Sequence, residues 1–206
     1  LGDVYKRQVL GIRPLLWKNG WPVAGEVFKE GTYEIESERR GYALELAVDF
    51  VRMEYTRHRF WEKDDTPVVP LKSQTLEDVI ETWPQGKINV RIGDYMFRPH
   101  QKWTITAVPD GGGYLGGPYY KIVIEGTNRA LAATADAEVV TVPEFTGAPE
   151  QLWRIDQLTD GTYRIMPKEV PGTDKELVLV SVGDSTPSLG EFDMNSDNSK
   201  WNFRDH

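Results

Sequence analysis

The 206-residue chain carries one four-part pattern three times over, and that repeat limits what it can fold into. Three tryptophans sit in matched surroundings: Gln101-Lys102-Trp103-Thr104-Ile105, Gln151-Leu152-Trp153-Arg154-Ile155 and Ser199-Lys200-Trp201-Asn202-Phe203. Upstream of them lie three matched openings, Gly31-Thr32-Tyr33-Glu34-Ile35, Pro118-Tyr119-Tyr120-Lys121-Ile122 and Gly161-Thr162-Tyr163-Arg164-Ile165. Tyr and Ile alternating at a period of two predict strands. A third marker falls between, as Ala43-Leu44-Glu45-Leu46, Ala130-Leu131-Ala132-Ala133 and Glu176-Leu177-Val178-Leu179, with Tyr-to-Leu separations of 11, 11 and 14 residues. A fourth, the aromatic Tyr95, Phe145 or Phe192, precedes each Trp by 8, 8 or 9 residues. The copies differ in what is inserted: residues 51 to about 87 in the first, and a loop around Pro171-Gly172-Thr173 in the third. Loop-closure entropy grows only with the logarithm of length, so such insertions leave the repeat intact.

One such unit of roughly 40–50 residues cannot bury its own apolar face, but three can close on one another and leave no free sheet edge. The expected fold class is therefore all-β, a β-trefoil over residues 31–206 with repeats at about 31–105, 118–155 and 161–203. Trp103, Trp153 and Trp201, with Tyr33, Tyr120 and Tyr163, are its expected structural core, and Gln101 and Gln151 its buried amides satisfying backbone groups. The Gly111-Gly112-Gly113 run, with no helix or Lys after it, reads as a flexible connector.

The recurring Gln-x-Trp, here QKW, QLW and a divergent SKW, resembles the ricin-type lectins over about 31–206. The resemblance implies a carbohydrate-binding accessory module. In that family an acidic residue just after the small-Leu pair accepts hydrogen bonds from sugar hydroxyls, and an aromatic face packs on the sugar ring. Glu45 holds that position in the first repeat; Ala132 and Val178 hold it in the others, so at most one of three sites keeps its carboxylate. Tyr95 belongs to the same repeat. The large insertion adds Trp61, beside Phe60, and Trp83, because loops on a rigid scaffold usually carry binding. Thr75-Leu76-Glu77-Asp78 also reads as the capped start of a short helix ended by Pro84, which gives Trp83 the alternative task of pinning that helix.

The segment 9–28 has a separate character. Trp17-Lys18-Asn19-Gly20-Trp21 predicts a hairpin turned at Asn-Gly. Ile12-Arg13-Pro14-Leu15-Leu16-Trp17-Lys18-Asn19-Gly20-Trp21-Pro22-Val23 resembles the closing strands of the five-bladed propeller in family 43 glycoside hydrolases, the arabinanase and arabinosidase group. The resemblance implies that residues 9–28 are the end of a propeller whose catalytic carboxylates lie upstream. The partners it implies are that propeller in the same polypeptide and an arabinose-containing plant cell-wall polysaccharide or oligosaccharide. It also implies a secreted or periplasmic, bacterial-type setting. Residues 1–8, LGDVYKRQ, resemble a translated sequencing adapter and are set apart from the fold.

A net charge of -8 and a pI near 5.0 argue against a nucleic-acid partner, which needs clustered Lys and Arg. No apolar run approaches the roughly 20 residues of a membrane span. With no cysteine and with His58, His100 and His206 lacking ligand-like spacing, no metal or other cofactor is called for. Asp64-Asp65, Glu77-Asp78 and Glu36-Ser37-Glu38 are polar clusters that read as solvated charge, so no catalytic residue is assigned. Two readings stand: a carbohydrate-binding module of a glycoside hydrolase, or a structural module that packs on the propeller without binding sugar.

Overall fold

A computed structural model describes residues 15–18, 21–24, 27–38, 42–48, 76–114, 117–183 and 185–205. It begins with a two-stranded hairpin, β1 (Leu15–Lys18) and β2 (Trp21–Ala24), paired Lys18 to Trp21 across a turn that lies outside the described residues. The first repeat supplies β3 (Gly31–Ser37), β4 (Ala43–Leu46), the short helix α1 (Leu76–Glu81), β5 (Ile88–Gly93) and β6 (Trp103–Tyr114). The second supplies β7 (Gly117–Ile124), β8 (Ala130–Ala133), β9 (Val139–Val142) and β10 (Trp153–Gln157). The third supplies β11 (Tyr163–Pro167), β12 (Val178–Val182), β13 (Thr186–Gly190) and β14 (Trp201–Asp205).

The first and last strands of each repeat form a ring. β3 pairs with β6, β6 with β7, β7 with β10, β10 with β11, β11 with β14, and β14 returns to β3, every pair antiparallel. The middle strands form three hairpins, β4–β5, β8–β9 and β12–β13. These hairpins are stitched to one another through Ile88 and Thr141, through Glu138 and Ser188, and through the Ile92 N–H donating to the Ser185 carbonyl at 2.8 Å. A six-stranded barrel capped by a triangle of hairpins is a β-trefoil.

The core follows from the repeat. Ile35, Ile122 and Ile165 stand two residues after the marker tyrosines and are fully buried, as are Trp103, Trp153 and Trp201. Each indole N–H donates to a leucine carbonyl of its own repeat: Trp103 to Leu44 at 2.8 Å, Trp153 to Leu131 at 3.0 Å and Trp201 to Leu179 at 2.8 Å. The third of these bonds corrects the register expected from sequence. Leu179, not Leu177, matches Leu44 and Leu131, so the residue matching Glu45 is Val180 rather than Val178. Leu131 and Leu179 each lie 22 residues before their tryptophan, which is the spacing that reveals the match.

The mouth of the barrel is closed from outside the repeat. The Phe28 ring lies 5.2, 6.0 and 5.5 Å from Tyr33, Tyr120 and Tyr163, the three symmetry-related marker tyrosines, and 4.5 Å from Phe203. Its N–H donates to the Tyr120 hydroxyl at 2.7 Å, and that hydroxyl donates back to the Phe28 carbonyl at 3.2 Å. The packed unit therefore starts before Gly31. Tyr33 and Tyr120 are buried, while Tyr163 is half-buried at the rim.

Two further expectations change. Trp83 is buried in the core cluster, so its ring face is not offered to a ligand. Its position is fixed by the turn after α1, where its N–H donates to the Ile80 carbonyl at 3.0 Å, and by Arg129, which donates to the Pro84 and Gly86 carbonyls at 2.8 and 2.7 Å. Gly111 to Gly113 are strand residues of the long β6–β7 hairpin, not a loose connector. Beyond an irregularity between Val108 and Gly113 the pairing resumes, and a Cβ on Gly113 would stand 2.3 Å from the Gly117 carbonyl oxygen.

Replacing Phe28 by Ala should lower unfolding free energy by about 3–5 kcal/mol, the range for truncating a buried aromatic. Chemical denaturation of the whole chain measures this. A loss below about 1 kcal/mol would mean that the three tyrosines close the barrel without it.

Candidate functional site

The polar groups gather in the first repeat. Glu45 lies on β4 directly opposite Arg91 on β5, an antiparallel cross-strand pair. The Arg91 Nε donates to Glu45 Oε1 at 2.5 Å, and an Arg91 Nη donates to the Val48 carbonyl at 3.2 Å. His100 and Gln101 join them from the one-turn 3-10 helix Pro99–Gln101 that enters β6. Gln101 Nε2 donates to Glu45 Oε2 at 2.6 Å, and His100 Nε2 stands 3.5 Å from the same oxygen.

The Glu45 side chain is only 7% exposed, whereas Arg91 is 43% exposed and carries the cluster to the surface. Burial pushes the Glu45 carboxyl upward, but hydrogen bonds from His100, Arg91 and Gln101 outweigh it and hold the group below the usual carboxylate range. A carboxyl kept ionised in this way accepts hydrogen bonds and is a poor proton donor. The arrangement suits recognition rather than acid catalysis.

Gln101 also shapes the loop above. Its Oε1 accepts from the Met96 and Arg98 N–H groups at 2.8 and 3.4 Å, and its Nε2 donates to the Asp94 carbonyl at 2.8 Å. On this braced loop the Tyr95 and Phe97 rings stand 4.8 Å apart. Phe97 is 75% exposed and has φ of 57°. Four residues before the motif glutamine of the second repeat, the matching position is Gly147, with φ of 81°. The left-handed conformation costs an L-residue about 1–2 kcal/mol. The first repeat thus sustains a strained backbone where the second uses glycine, and the result is an aromatic ring held out in solvent.

The other repeats act as internal controls. Gln151 repeats the bracing, accepting from the Thr146 N–H at 2.7 Å, and Ser199 does so by donating to the Asp193 carbonyl at 3.1 Å. Where the first repeat has Glu45 facing Arg91, the second has Ala132 facing Val140 and the third Val180 facing Ser188. The fold is built three times, the charged cluster once.

Of the residues expected from sequence, the structure brings Glu45 and Tyr95 to this site, linked through Gln101. Trp61 lies outside the described residues, and Trp83 is in the core. Arg91, His100 and Phe97 were not anticipated. Phe97 was within reach of sequence alone, since counting four residues back from each motif glutamine sets it against Gly147. Arg91 and His100 needed the register of β4 against β5 and the geometry of the turn.

Residues 99–187 match the family described as ricin-type beta-trefoil lectin domain-like. Over those residues the chain is similar to ricin-type β-trefoil lectin domains. Solved structures extend the likeness in fold to most of the chain. The designed threefold-symmetric protein ThreeFoil superposes with a TM-score of 0.54 at 20% identity, over 85% of this chain and 99% of its own. The Polyporus squamosus lectin, solved with the human-type influenza-binding epitope Neu5Acα2-6Galβ1-4GlcNAc, gives 0.55 at 16% identity, over 87% of this chain and 50% of its own. An exo-β-1,3-galactanase from Clostridium thermocellum gives 0.52 at 15% identity, over 89% of this chain and 32% of its own. A mosquitocidal holotoxin is matched over only 18% of its length, so this trefoil corresponds to a part of several larger chains. No curated protein matches the sequence.

Glu45→Gln should reduce stability by about 1–2 kcal/mol at pH 7, because the folded state then loses a charge-assisted acceptor of three donors. The folded carboxyl titrates below its unfolded value, so its stabilisation is present above the ordinary carboxyl range near pH ~4.3 and is lost as pH falls through the folded value. The gap between wild type and variant should accordingly close below about pH 4. A gap that stays constant from pH 7 to pH 3 would show that Glu45 does not titrate with folding.

Proposed function

We propose that the chain is a carbohydrate-binding module, non-catalytic in itself, that recognises sugar at the first repeat through Glu45, Arg91 and the Tyr95–Phe97 aromatic pair. The observation that carries this reading is the asymmetry of an otherwise repeated structure. Burying a carboxylate is unfavourable unless it is paired and hydrogen-bonded. The second and third repeats fold with Ala132 and Val180 at that position, so the trefoil has no need of the charge. The same repeat spends backbone strain to expose Phe97. An apolar ring beside a fixed set of charged donors and acceptors is what a pyranose or furanose needs, with its C–H face on the ring and its hydroxyls on the polar groups.

The finer proposal is that the module serves a family 43 glycoside hydrolase and holds it on an arabinose-containing plant polysaccharide, outside the cytoplasm. The resemblance of residues 12–23 to the end of a propeller supports it, as does the likeness of the fold to about a third of a galactanase chain. Tethering raises the effective substrate concentration at the catalytic domain. One observation favours the second reading, a structural module: both Glu45 oxygens already accept from protein groups, Arg91 on one and Gln101 on the other.

Calorimetric titration of the whole chain with arabinan, arabinoxylan and galactan oligosaccharides separates the two. Phe97→Gly should weaken binding about tenfold or more, equivalent to losing one ring contact, while the melting temperature is unchanged or raised. Glu45→Ala should weaken binding further. If the wild type retains none of these glycans, the structural reading replaces the lectin one.

A further inference from the structure

Outside the first repeat, two departures from threefold symmetry meet on one face. The β11–β12 connection spans ten residues, Pro167 to Val178, where the matching connections in the first and second repeats span five. The β6–β7 hairpin runs on to a Tyr114–Gly117 pair, whereas the β10–β11 hairpin ends at Gln157–Tyr163.

The long connection is a built element. Val170 and Thr173 pair across Pro171-Gly172, with Gly172 at φ 82°, the geometry of a type II turn with Pro and Gly in its two central positions. Buried Val170 and Leu177 fix its two ends to the core. Lys168 joins the two departures: its backbone N–H donates to the Leu152 carbonyl at 2.7 Å, its Nζ donates to the Gly111 carbonyl at 2.8 Å, and the ammonium stands 5.2 Å from the centre of the Tyr119 ring. Between hairpin and turn lies a cleft of about 590 Å3, lined by Tyr119, Arg154, Lys168, Glu169, Pro171 and Asp174 among others. That volume falls within the roughly 300–1,000 Å3 of small-ligand sites.

We infer that this cleft is a second carbohydrate site, taking a short neutral oligosaccharide and sharing no residue with the first-repeat site. The inference rests on the carbohydrate-binding reading above. Three cationic side chains, Arg154, Lys168 and Lys175, and three acidic ones, Glu169, Asp174 and Glu176, line the cleft. Arg154 and Lys175 are also paired to Asp156 at 2.7 Å and Glu191 at 3.5 Å, so no concentration of positive charge is offered to an anion. A ligand bearing hydroxyls uses both, donating to the carboxylates and accepting from the cations. The partly exposed Tyr119 and Pro171 supply the apolar surface for a sugar's C–H face, with buried Met166 and Pro167 beneath them. Lys168, held by one carbonyl and one ring, keeps donor capacity for a ligand without paying to order its side chain on binding.

The test is an amide-resolved NMR titration of the whole chain with arabino-, xylo- and galacto-oligosaccharides into the millimolar range. Saturating shifts are expected at Tyr119, Arg154 and residues 168–170 and 172–174, and they should persist in Phe97→Gly. Lys168→Ala, and separately the exposed, conservative pair Glu169→Gln with Asp174→Asn, should weaken that binding about tenfold each, the size of a charge-assisted hydrogen bond. No saturating shift at the cleft with any of these sugars, or shifts that both variants leave unweakened, would overturn the inference. Shifts at Glu45, Arg91 and Phe97 alone would overturn it while leaving the first-repeat site standing. Shifts at the cleft alone would support it and remove the first-repeat site.

Discussion

The structure depends on one interaction made three times: a buried indole N–H donating to a leucine carbonyl on the middle hairpin of its own repeat. A buried carbonyl without a partner costs about as much as a lost hydrogen bond, and tryptophan is the one side chain that supplies a donor together with so large an apolar body. Trp103, Trp153 and Trp201 sit on the last barrel strand of each repeat, and Leu44, Leu131 and Leu179 on its hairpin. The bond therefore ties barrel to cap. The hairpins are otherwise joined to the barrel by a few backbone pairs, such as Glu36 with Ala43 and Val123 with Ala130, and by apolar packing in the shared core.

With stability supplied by what repeats, departures from the repeat become informative. A charged pair, a strained aromatic and an extended loop each appear once, on a scaffold that shows twice how to do without them. Glu45 and Arg91 replace apolar or small pairs, Phe97 replaces a glycine, and the Val170–Thr173 turn fills a connection that is otherwise half as long. Each lies on a surface rather than in the shared core, apart from the Glu45 carboxylate that Arg91 links to solvent. The two proposed sites, at the first repeat and beside Lys168, would use the fold as a frame and not as the source of specificity.

The barrel-closing residue shows where a repeat stops being a sufficient description. The ring of three marker tyrosines leaves a gap on its axis. Phe28, from outside the repeat, fills it, and the Tyr120 hydroxyl holds its backbone in place. Nothing in the spacing of the markers points to Phe28, because a residue on the axis occurs once.

The sequence by itself determined the fold class, the three repeats and the core positions of the tryptophans. Period-two alternation and a motif kept in register depend on local backbone geometry and on burial, both of which act residue by residue. It also located Glu45 and Tyr95 through their repeat. Only the tertiary structure decided that Trp83 is buried, that Leu179 rather than Leu177 completes the third repeat, and that Gly111 to Gly113 belong to a hairpin. It alone brought Arg91 and His100 to Glu45, set Phe97 on the loop that Gln101 braces, and brought Lys168 to Tyr119. Those are cross-strand, turn and loop-to-loop encounters, set by register and by how insertions pack. A sequence encodes such encounters through the whole fold and in no single stretch of it.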